Sequence, residues 1–291
     1  MSYTSLVILA GGASSRMKKQ VLSNNSLSDK ELEQANHRSK SLISIDTSGR
    51  PLMDYLLYNA KKSGYKNIYI ITGKDNSLFK SFYGEKDNNN IFHGLTVNFA
   101  VQQIPTNRVK PFGTADALYQ AMEQYPVLQK NIFTVCNSDN LYSVRALELL
   151  RNDSSSRNAL ISYDRDALLF SSERISKFAL MIFDKNQYLK YIVEKPAIDL
   201  LESFKGDDGK LRMSMNIFKF DGSLFFKYVK NCNVHPTRNE KELPTALMAM
   251  LKEHSNTVKG IPLSEHVPDL TSKEDIAILK EWVKDINLGD W

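Results

Sequence analysis

The opening stretch SLVILAGGASSRM, residues 5–17, determines how the rest of the chain is interpreted. Its apolar first half has the length of a strand, and a loop of small residues follows and ends at Arg16. Small residues leave backbone N–H groups free to approach a phosphate, and arginine adds charge-assisted hydrogen bonds. The loop lacks the Lys-Ser ending of a P-loop and the spaced glycines of a dinucleotide fingerprint. We expect Ala10, Gly11, Gly12 and Arg16 to contact a phosphate group.

Strand candidates and helical patterns alternate after this loop. The strand candidates are Ser5–Ala10, Asn67–Thr72, Thr96–Gln102, Asn131–Cys136 and Asn158–Tyr163. The helical patterns are Pro51–Ser63, Thr114–Gln124 and Val144–Arg151. Alternation of this kind is typical of a βαβ succession. It predicts an α/β, Rossmann-like fold with a mostly parallel sheet and helices on both faces.

The pattern changes after Asp164. Strand candidates follow one another with short turns between them, at Phe178–Phe183, Leu189–Val193 and Met213–Phe220. Such hairpin-like succession predicts antiparallel additions to the sheet. Two helices are predicted at the end of the chain, Glu242–His254 and Ser272–Trp282, the second with Thr271 or Ser272 as its N-cap.

Two polar stretches, Lys18–Arg38 and Glu85–Asn90, interrupt the predicted elements and are interpreted as mobile loops. The first lies between two candidate phosphate-binding residues, Arg16 and Lys40. We therefore predict a single domain over residues 1–291 with a flexible insertion at 18–38 that can close over a substrate.

Composition excludes several classes of protein. With 42% hydrophobic residues among 291, the chain can bury a substantial core. It has no apolar run of about 20 residues and no signal-peptide core, so we expect a cytoplasmic protein without membrane contact. Two cysteines are too few for a disulfide framework. A net charge of +5 without a continuous basic tract suits phosphorylated substrates better than nucleic acid.

The opening loop and the segment Arg38–Ile45 together resemble the sugar-1-phosphate nucleotidyltransferase family, whose members make nucleotide sugars. In that family an arginine ends the first loop and a lysine precedes the next apolar segment, which corresponds here to Arg16 and Lys40. The sequence departs from the family at Ser39, where proline is usual, and at Ser14, where glycine is common. The resemblance implies that Ala10, Gly11 and Gly12 bind the nucleotide and that the catalytic residues Arg16 and Lys40 hold the pyrophosphate that leaves.

Two further segments are similar to the base-binding segments of this family. One contains Gln102, and the other, Gly113–Leu118, resembles the Gly-Thr-Ala-Asp-Ala run of ADP-glucose pyrophosphorylases. A glutamine amide can pair with both a donor and an acceptor on a base edge. Gly113 would let a ring approach the backbone, and Thr114 would start a helix beside it. We expect these three residues to bind the nucleotide.

A magnesium site is expected because Mg²⁺ prefers carboxylate and phosphate oxygens. Asp139 follows the predicted strand Asn131–Cys136, and open α/β sheets bind ligands at the carboxyl ends of their strands. The resemblance implies that Asp221, at the end of a later strand candidate, is the second metal ligand. The segment His266–Ile276 is similar to the closing segment of the family, and we expect it to be structural.

Glu194, Lys195 and Pro196 resemble the Glu-Lys-Pro signature that contacts the sugar and its phosphate in this family. The resemblance implies that Glu194 and Asn216 contact the sugar and that Lys195, a catalytic residue, neutralises the attacking phosphate. Ala179 stands where relatives often have glycine.

These motifs predict a transferase that joins a nucleoside triphosphate to a sugar 1-phosphate with Mg²⁺ as cofactor. One alternative is cytidylyl or guanylyl transfer to a non-sugar acceptor such as phosphocholine or molybdopterin, favoured by Ser14 and Ser15. Another is a non-catalytic subunit that senses nucleotide sugars. The base, the acceptor, any allosteric effector and the oligomeric state, including a homo-oligomer, stay open at this point.

Overall fold

The opening apolar run forms strand β1 (Ser5–Leu9) in the computed structural model, which describes residues 3–12, 14, 16–18, 27–194 and 198–291 without the side chains of 198–200. The other strands are β2 (Asn67–Thr72), β3 (Asn90–Phe92), β4 (Leu95–Val101), β5 (Ile132–Asn137), β6 (Asn158–Asp164), β7 (Ala179–Phe183), β8 (Leu189–Glu194), β9 (Arg212–Met213), β10 (Ile217–Asp221) and β11 (Val258–Leu263). The helices are α1 (Asp29–His37), α2 (Leu52–Lys62), α3 (Ser77–Tyr83), α4 (Thr114–Gln124), α5 (Val144–Asn152), α6 (Ser172–Ile175), α7 (Gly222–Lys230), α8 (Leu243–Glu253) and α9 (Glu274–Val283).

All eleven strands of the described chain belong to one sheet. Its order is β3-β4-β2-β1-β5-β10-β6-β9-β7-β8, and β11 pairs with β6 outside this path. The neighbouring strands β4, β2, β1 and β5 are parallel to one another, as are β6 and β11. The predicted α/β fold with a mostly parallel core is therefore confirmed.

Strand alternation places helices on both faces of this sheet. Leu6 and Ile8 of β1 belong to a core cluster that contains Leu56 of α2, whereas Val7 packs in a second cluster with Leu118 of α4. Successive side chains of a strand point to opposite faces, so each face of β1 is buried by its own helix layer. The described chain contains no helix with the length and apolarity that crossing a bilayer requires.

The antiparallel additions also form, but one of them lies inside the sheet. Strand β10 is inserted between β5 and β6 and runs antiparallel to both. The predicted single strand Met213–Phe220 is interrupted after Met213, and Asn216 adopts a left-handed φ of 56° just before β10. An unforeseen strand, β11, pairs with β6.

The stretch 18–38 contains an ordered helix, so the loop prediction is wrong for Asp29–His37. Ser28 caps α1 in a reciprocal capping box with Glu31, a Ser-x-x-Glu pattern that is legible in the sequence. Ala35 is buried, and Lys280 of α9 pairs with Glu31. Part of the predicted insertion, residues 19–26, lies outside the described residues.

The cap of α9 also differs from the prediction. Lys273 occupies the N-cap position, and neither Thr271 nor Ser272 caps the helix with its side chain. Instead the Asp275 carboxylate accepts hydrogen bonds from the backbone N–H groups of Thr271 and Ser272. A first-turn acidic side chain thus satisfies the donors that precede the helix.

Candidate functional site

A pocket of about 380 Å³ lies beyond the carboxyl ends of β1 and β5. This is the edge where parallel α/β sheets bind ligands, and the volume lies within the usual range for small-molecule sites. The pocket is lined by nine of the residues predicted from the sequence: Ala10, Gly11, Gly12, Arg16, Lys40, Gln102, Gly113, Thr114 and Asp139.

The first loop is fixed to its neighbouring strands by backbone hydrogen bonds. Ala10 N donates to Ile71 O at 2.8 Å, and Ser138 N donates to Leu9 O at 3.2 Å. Ser14 has a φ of 52°, a left-handed conformation that glycine adopts without strain. This conformation explains why glycine suits the position, although the chain carries serine there.

Lys40 reaches the pocket from a short 3₁₀ turn, Lys40–Leu42. Its Nζ donates to Asp139 Oδ2 at 2.8 Å, and its side chain is only 10% exposed. The structure thus joins the predicted pyrophosphate lysine directly to the predicted metal carboxylate. An ion pair this sheltered from water is screened less by salt than a surface pair.

Gln102 lies at the end of β4, where Gln102 N donates to Thr72 O. Its amide Nε2 donates to Gly113 O at 3.1 Å and to Asp116 Oδ2 at 2.9 Å. Both N–H donors of the amide are therefore used within the protein. The expectation that this amide offers a donor as well as an acceptor to a base does not hold for the described conformation.

Gly113 is required by its neighbours as well as by its backbone. It has a φ of 103°, and a Cβ built there would lie 2.2 Å from Lys241 O. The residue is the N-cap of α4, and Thr114 is the first residue of this helix, as predicted. Thr114 Oγ1 accepts a hydrogen bond from Leu243 N at 3.0 Å, which fixes the start of α8 to the pocket.

Asp221 does not lie at this edge of the sheet. Because β10 is antiparallel to β5, Ile217 pairs with Cys136 and Asp221 pairs with Ile132, at the opposite end of β5 from Asp139. The Asp221 carboxylate caps α7 by accepting from Ser223 N, and it forms an ion pair with Arg157. The prediction that Asp221 and Asp139 share a metal ion is therefore wrong.

A different carboxylate, Asp269, lies beside Asp139. The loop after β5 pairs with the closing segment around Asp269. Leu270 N donates to Asp139 O at 2.8 Å, and Asn140 forms an isolated antiparallel β-bridge with Asp269. Burial raises the pKa of the Asp269 carboxyl, and the charge of Asp139 raises it further. Hydrogen bonds from Arg174 and Thr271 lower it. The sequence pattern of the closing segment was the available signal for this residue.

A second pocket, of about 210 Å³, adjoins the first and shares Thr114 and Asn137 with it. Glu194 and Asn216, the two predicted sugar contacts, both line this second pocket. Lys195 and Pro196 lie outside the described residues. Tyr142 OH donates a hydrogen bond at 2.7 Å to the carbonyl oxygen of Met215, the residue before Asn216. This bond fixes the backbone next to the left-handed Asn216.

Glu194 belongs to a cluster with His235 and Glu242, whose possible ligand atoms lie within 4.8 Å of one another. The guanidinium of Arg238 bonds to both glutamates, and His235 Nδ1 accepts from Thr237 N at 3.3 Å. Arg238 therefore offsets part of the negative charge of the two carboxylates. We assign the cluster to holding Glu194 at the wall of the second pocket.

Comparison with known proteins supports this arrangement of motifs. A family model described as "Nucleotidyl transferase" matches residues 5–265. The chain belongs to the nucleotidyl transferase family. Two curated relatives are glucose-1-phosphate adenylyltransferase 1 of Vibrio vulnificus, 27% identical over 76% of this chain and 49% of the relative, and bifunctional protein GlmU of Staphylococcus epidermidis, 22% identical over 85% and 45%. The chain spans about half the length of these relatives.

Solved structures show that the fold is shared with this family. A UDP-glucose pyrophosphorylase complexed with UDP-glucose matches with a TM-score of 0.69 and 13% identity over 98% of this chain and 99% of that one. A putative glucose-1-phosphate thymidylyltransferase from Bacillus anthracis, in complex with a sucrose, matches with a TM-score of 0.67 and 20% identity over 98% and 97%. At these identities the likeness concerns the fold alone.

Proposed function

We propose that this chain transfers the nucleotidyl group of a nucleoside triphosphate to a sugar 1-phosphate and releases pyrophosphate. The proposal rests on one observation, that two pockets adjoin each other at the edge of the sheet. One pocket holds Arg16, Lys40 and Asp139, and the adjoining pocket holds Glu194 and Asn216. A triphosphate and an acceptor bound in these pockets would meet at the shared wall.

In this proposal the chain acts by positioning and by neutralising charge, with no protein nucleophile. The phosphate oxygen of the acceptor attacks the α-phosphorus, the bond to the β-phosphate oxygen breaks, and pyrophosphate leaves. Arg16 and Lys40 hold the pyrophosphate, and Gln102 and Gly113 bind the base. Glu194 and Asn216 orient the sugar, and Lys195 neutralises the attacking phosphate.

Asp139 and Asp269 fit a magnesium ion better than Asp139 and Asp221. Two carboxylates whose charges repel each other gain from a divalent cation between them, and carboxylate oxygens suit Mg²⁺. When bound, Mg²⁺ would supply positive charge to the phosphate oxygens. Asp269 would have to share its carboxylate with Arg174, whose guanidinium Nη2 lies 2.8 Å from Asp269 Oδ2.

A substrate screen tests this proposal. Pyrophosphate release is measured for each common triphosphate paired with several sugar 1-phosphates and with phosphocholine. Release with a sugar 1-phosphate supports the proposal, whereas release with phosphocholine alone supports transfer to a non-sugar acceptor. Tight binding of nucleotide sugars without any release would identify a sensing subunit. Cytoplasmic location remains part of the proposal.

A further inference from the structure

Asp116, in the first turn of α4, touches the one side chain that the proposed function assigns to the base. Its Oδ2 accepts hydrogen bonds from Gln102 Nε2 at 2.9 Å and from Gln120 Nε2 at 2.9 Å. Gln102 and Asp116 are both buried, with 4% and 8% exposure. Asp116 is not among the residues that line the pocket, so it can act on a ligand only through Gln102.

This contact fixes which end of the Gln102 amide faces the pocket. The oxygen and nitrogen of a glutamine amide have nearly the same shape, and only their hydrogen-bond partners distinguish them. A carboxylate accepts hydrogen bonds and cannot donate them, and Gly113 O is also an acceptor. Both neighbours therefore require the NH₂ group, and turning the amide over would place its oxygen against two other oxygens.

The oxygen, Gln102 Oε1, is left for the ligand. It bonds to no donor in the described part of the chain, and it lies 3.4 Å from the position that a Cβ on Gly11 would occupy. Gly11 lines the pocket together with Gln102. The absence of a side chain on Gly11 thus leaves this oxygen open on the pocket side.

We infer that Asp116 is a positioning residue for base selection, because it holds Gln102 as a pure hydrogen-bond acceptor. This inference rests on the proposed nucleotidyl transfer. A base is recognised when it presents an N–H donor to Gln102 Oε1 and when its other polar groups find hydrogen-bond partners elsewhere in the pocket. A base whose donors and acceptors are exchanged at the same edge leaves a buried polar atom without a partner, which a site of this kind rejects strongly.

In each of two pairs of triphosphates, the bases have almost the same shape but have hydrogen-bond donors and acceptors exchanged at one edge. UTP and CTP differ in the 4-oxo or 4-amino group and in the hydrogen on N3. Inosine triphosphate and ATP differ in the same way at position 6 and N1. Whichever pair contains the best substrate, the wild-type enzyme is expected to prefer one member at least about tenfold in kcat/KM for pyrophosphate release.

The decisive variant is Asp116→Asn, whose side-chain amide can accept from Nε2 or donate to Oε1. The turned Gln102 amide then meets one opposing oxygen, Gly113 O, in place of two, so the preference within the pair should fall about tenfold toward one. Asp116→Ala should lower it in the same direction. Gln120→Met is the matched control, because it removes the other donor to Asp116, together with two hydrogen bonds to the backbone of Gln103, and keeps the Asp116 carboxylate that binds Gln102.

The readout is a ratio of kcat/KM values for one protein preparation, so partial loss of folded enzyme cancels. An unchanged ratio in both Asp116 variants would overturn the inference, as would a wild-type ratio near one. Failure of the proposed function looks different, because then no common nucleoside triphosphate, inside or outside these pairs, would release pyrophosphate with a sugar 1-phosphate.

Discussion

Lys40 Nζ and Asp139 Oδ2 lie 2.8 Å apart although 99 positions separate the two residues in the sequence. Each is the counter-charge of the other. A triphosphate would offer Lys40 a second set of anionic oxygens. A divalent cation would offer Asp139 a second positive charge. The pair thus holds both groups of the proposed reaction centre close together.

Asp139→Asn is expected to lower turnover at least about a hundredfold, because it keeps the shape of the side chain and removes the charge. The matched control is Asp221→Asn, which lies at the opposite end of β5. It should keep wild-type turnover and lose at most about 1 kcal/mol of stability, because asparagine still caps α7 and only the ion pair with Arg157 is lost. Steady-state kinetics and urea unfolding of both variants measure this. Loss of turnover in Asp221→Asn with normal turnover in Asp139→Asn would reverse the assignment.

Asp269→Asn should raise the Mg²⁺ concentration that gives half-maximal activity. The physical reason is that a site with one carboxylate attracts the cation less strongly than a site with two. Activity is measured against Mg²⁺ concentration at saturating substrates, and thermal unfolding of the metal-free variant controls for loss of structure. An unchanged Mg²⁺ dependence in a folded variant would remove Asp269 from the cation site.

Gly113→Ala is expected to destabilise the chain by about 1–3 kcal/mol, because alanine is strained at a φ of 103° and its Cβ would collide with Lys241 O. The control is Gly12→Ala, where an added Cβ would meet no described atom within 4 Å. Urea unfolding should separate the two variants. Equal stability of both would show that the segment around Lys241 moves away at little cost.

The pH dependence of stability should contain an identifiable contribution from Asp54. Burial raises the pKa of this carboxyl to about 6, partly offset by a hydrogen bond from Tyr83. Between about pH 4, where the unfolded carboxyl titrates, and pH 6, the native state binds more protons than the unfolded state. This contribution to stability therefore falls as the pH rises.

The test compares Asp54→Asn with the wild type by urea unfolding between pH 4 and pH 7. The variant cannot titrate, so its stability relative to the wild type should rise with pH by up to roughly 3 kcal/mol. Asp46→Asn should show no comparable slope in this range, because a lowered native pKa changes the contribution of Asp46 only below about pH 4. Burial alone would raise the pKa of Asp46, but hydrogen bonds from Arg50 N, Ser48 and Tyr55 lower it below its ordinary value. The same slope for both variants would refute the explanation.

The parallel half of the sheet could be predicted from the sequence because local signals define it. The strand Asn67–Thr72 and the helix Thr114–Gln124 have the predicted bounds, since apolar periodicity and residues at the ends agree there. The helix α1 was missed although its capping box was legible, because its polar composition outweighed that signal.

The metal site shows why the rest could not be predicted. A strand pattern does not state the direction of the strand, and the direction of β10 decides that Asp221 lies far from Asp139. The position of Asp269 depends on pairing between the loop after β5 and a segment about 130 residues later. The sequence pattern identifies that closing segment but not the loop with which it pairs. The orientation of the Gln102 amide likewise depends on Asp116, a contact that appears only when β4 and α4 pack together.

The central proposal is tested most directly by following two phosphate groups of the triphosphate, each carrying a label, into the products. A nucleoside triphosphate labelled at the α-phosphate, and the same compound labelled at the γ-phosphate, are each incubated with a sugar 1-phosphate and Mg²⁺. Nucleotidyl transfer predicts that the α-label appears in a nucleotide sugar and the γ-label in pyrophosphate, in equal amounts. Appearance of the γ-label in inorganic phosphate or on the acceptor, or no transfer of the α-label with any base and sugar 1-phosphate, would contradict the proposal.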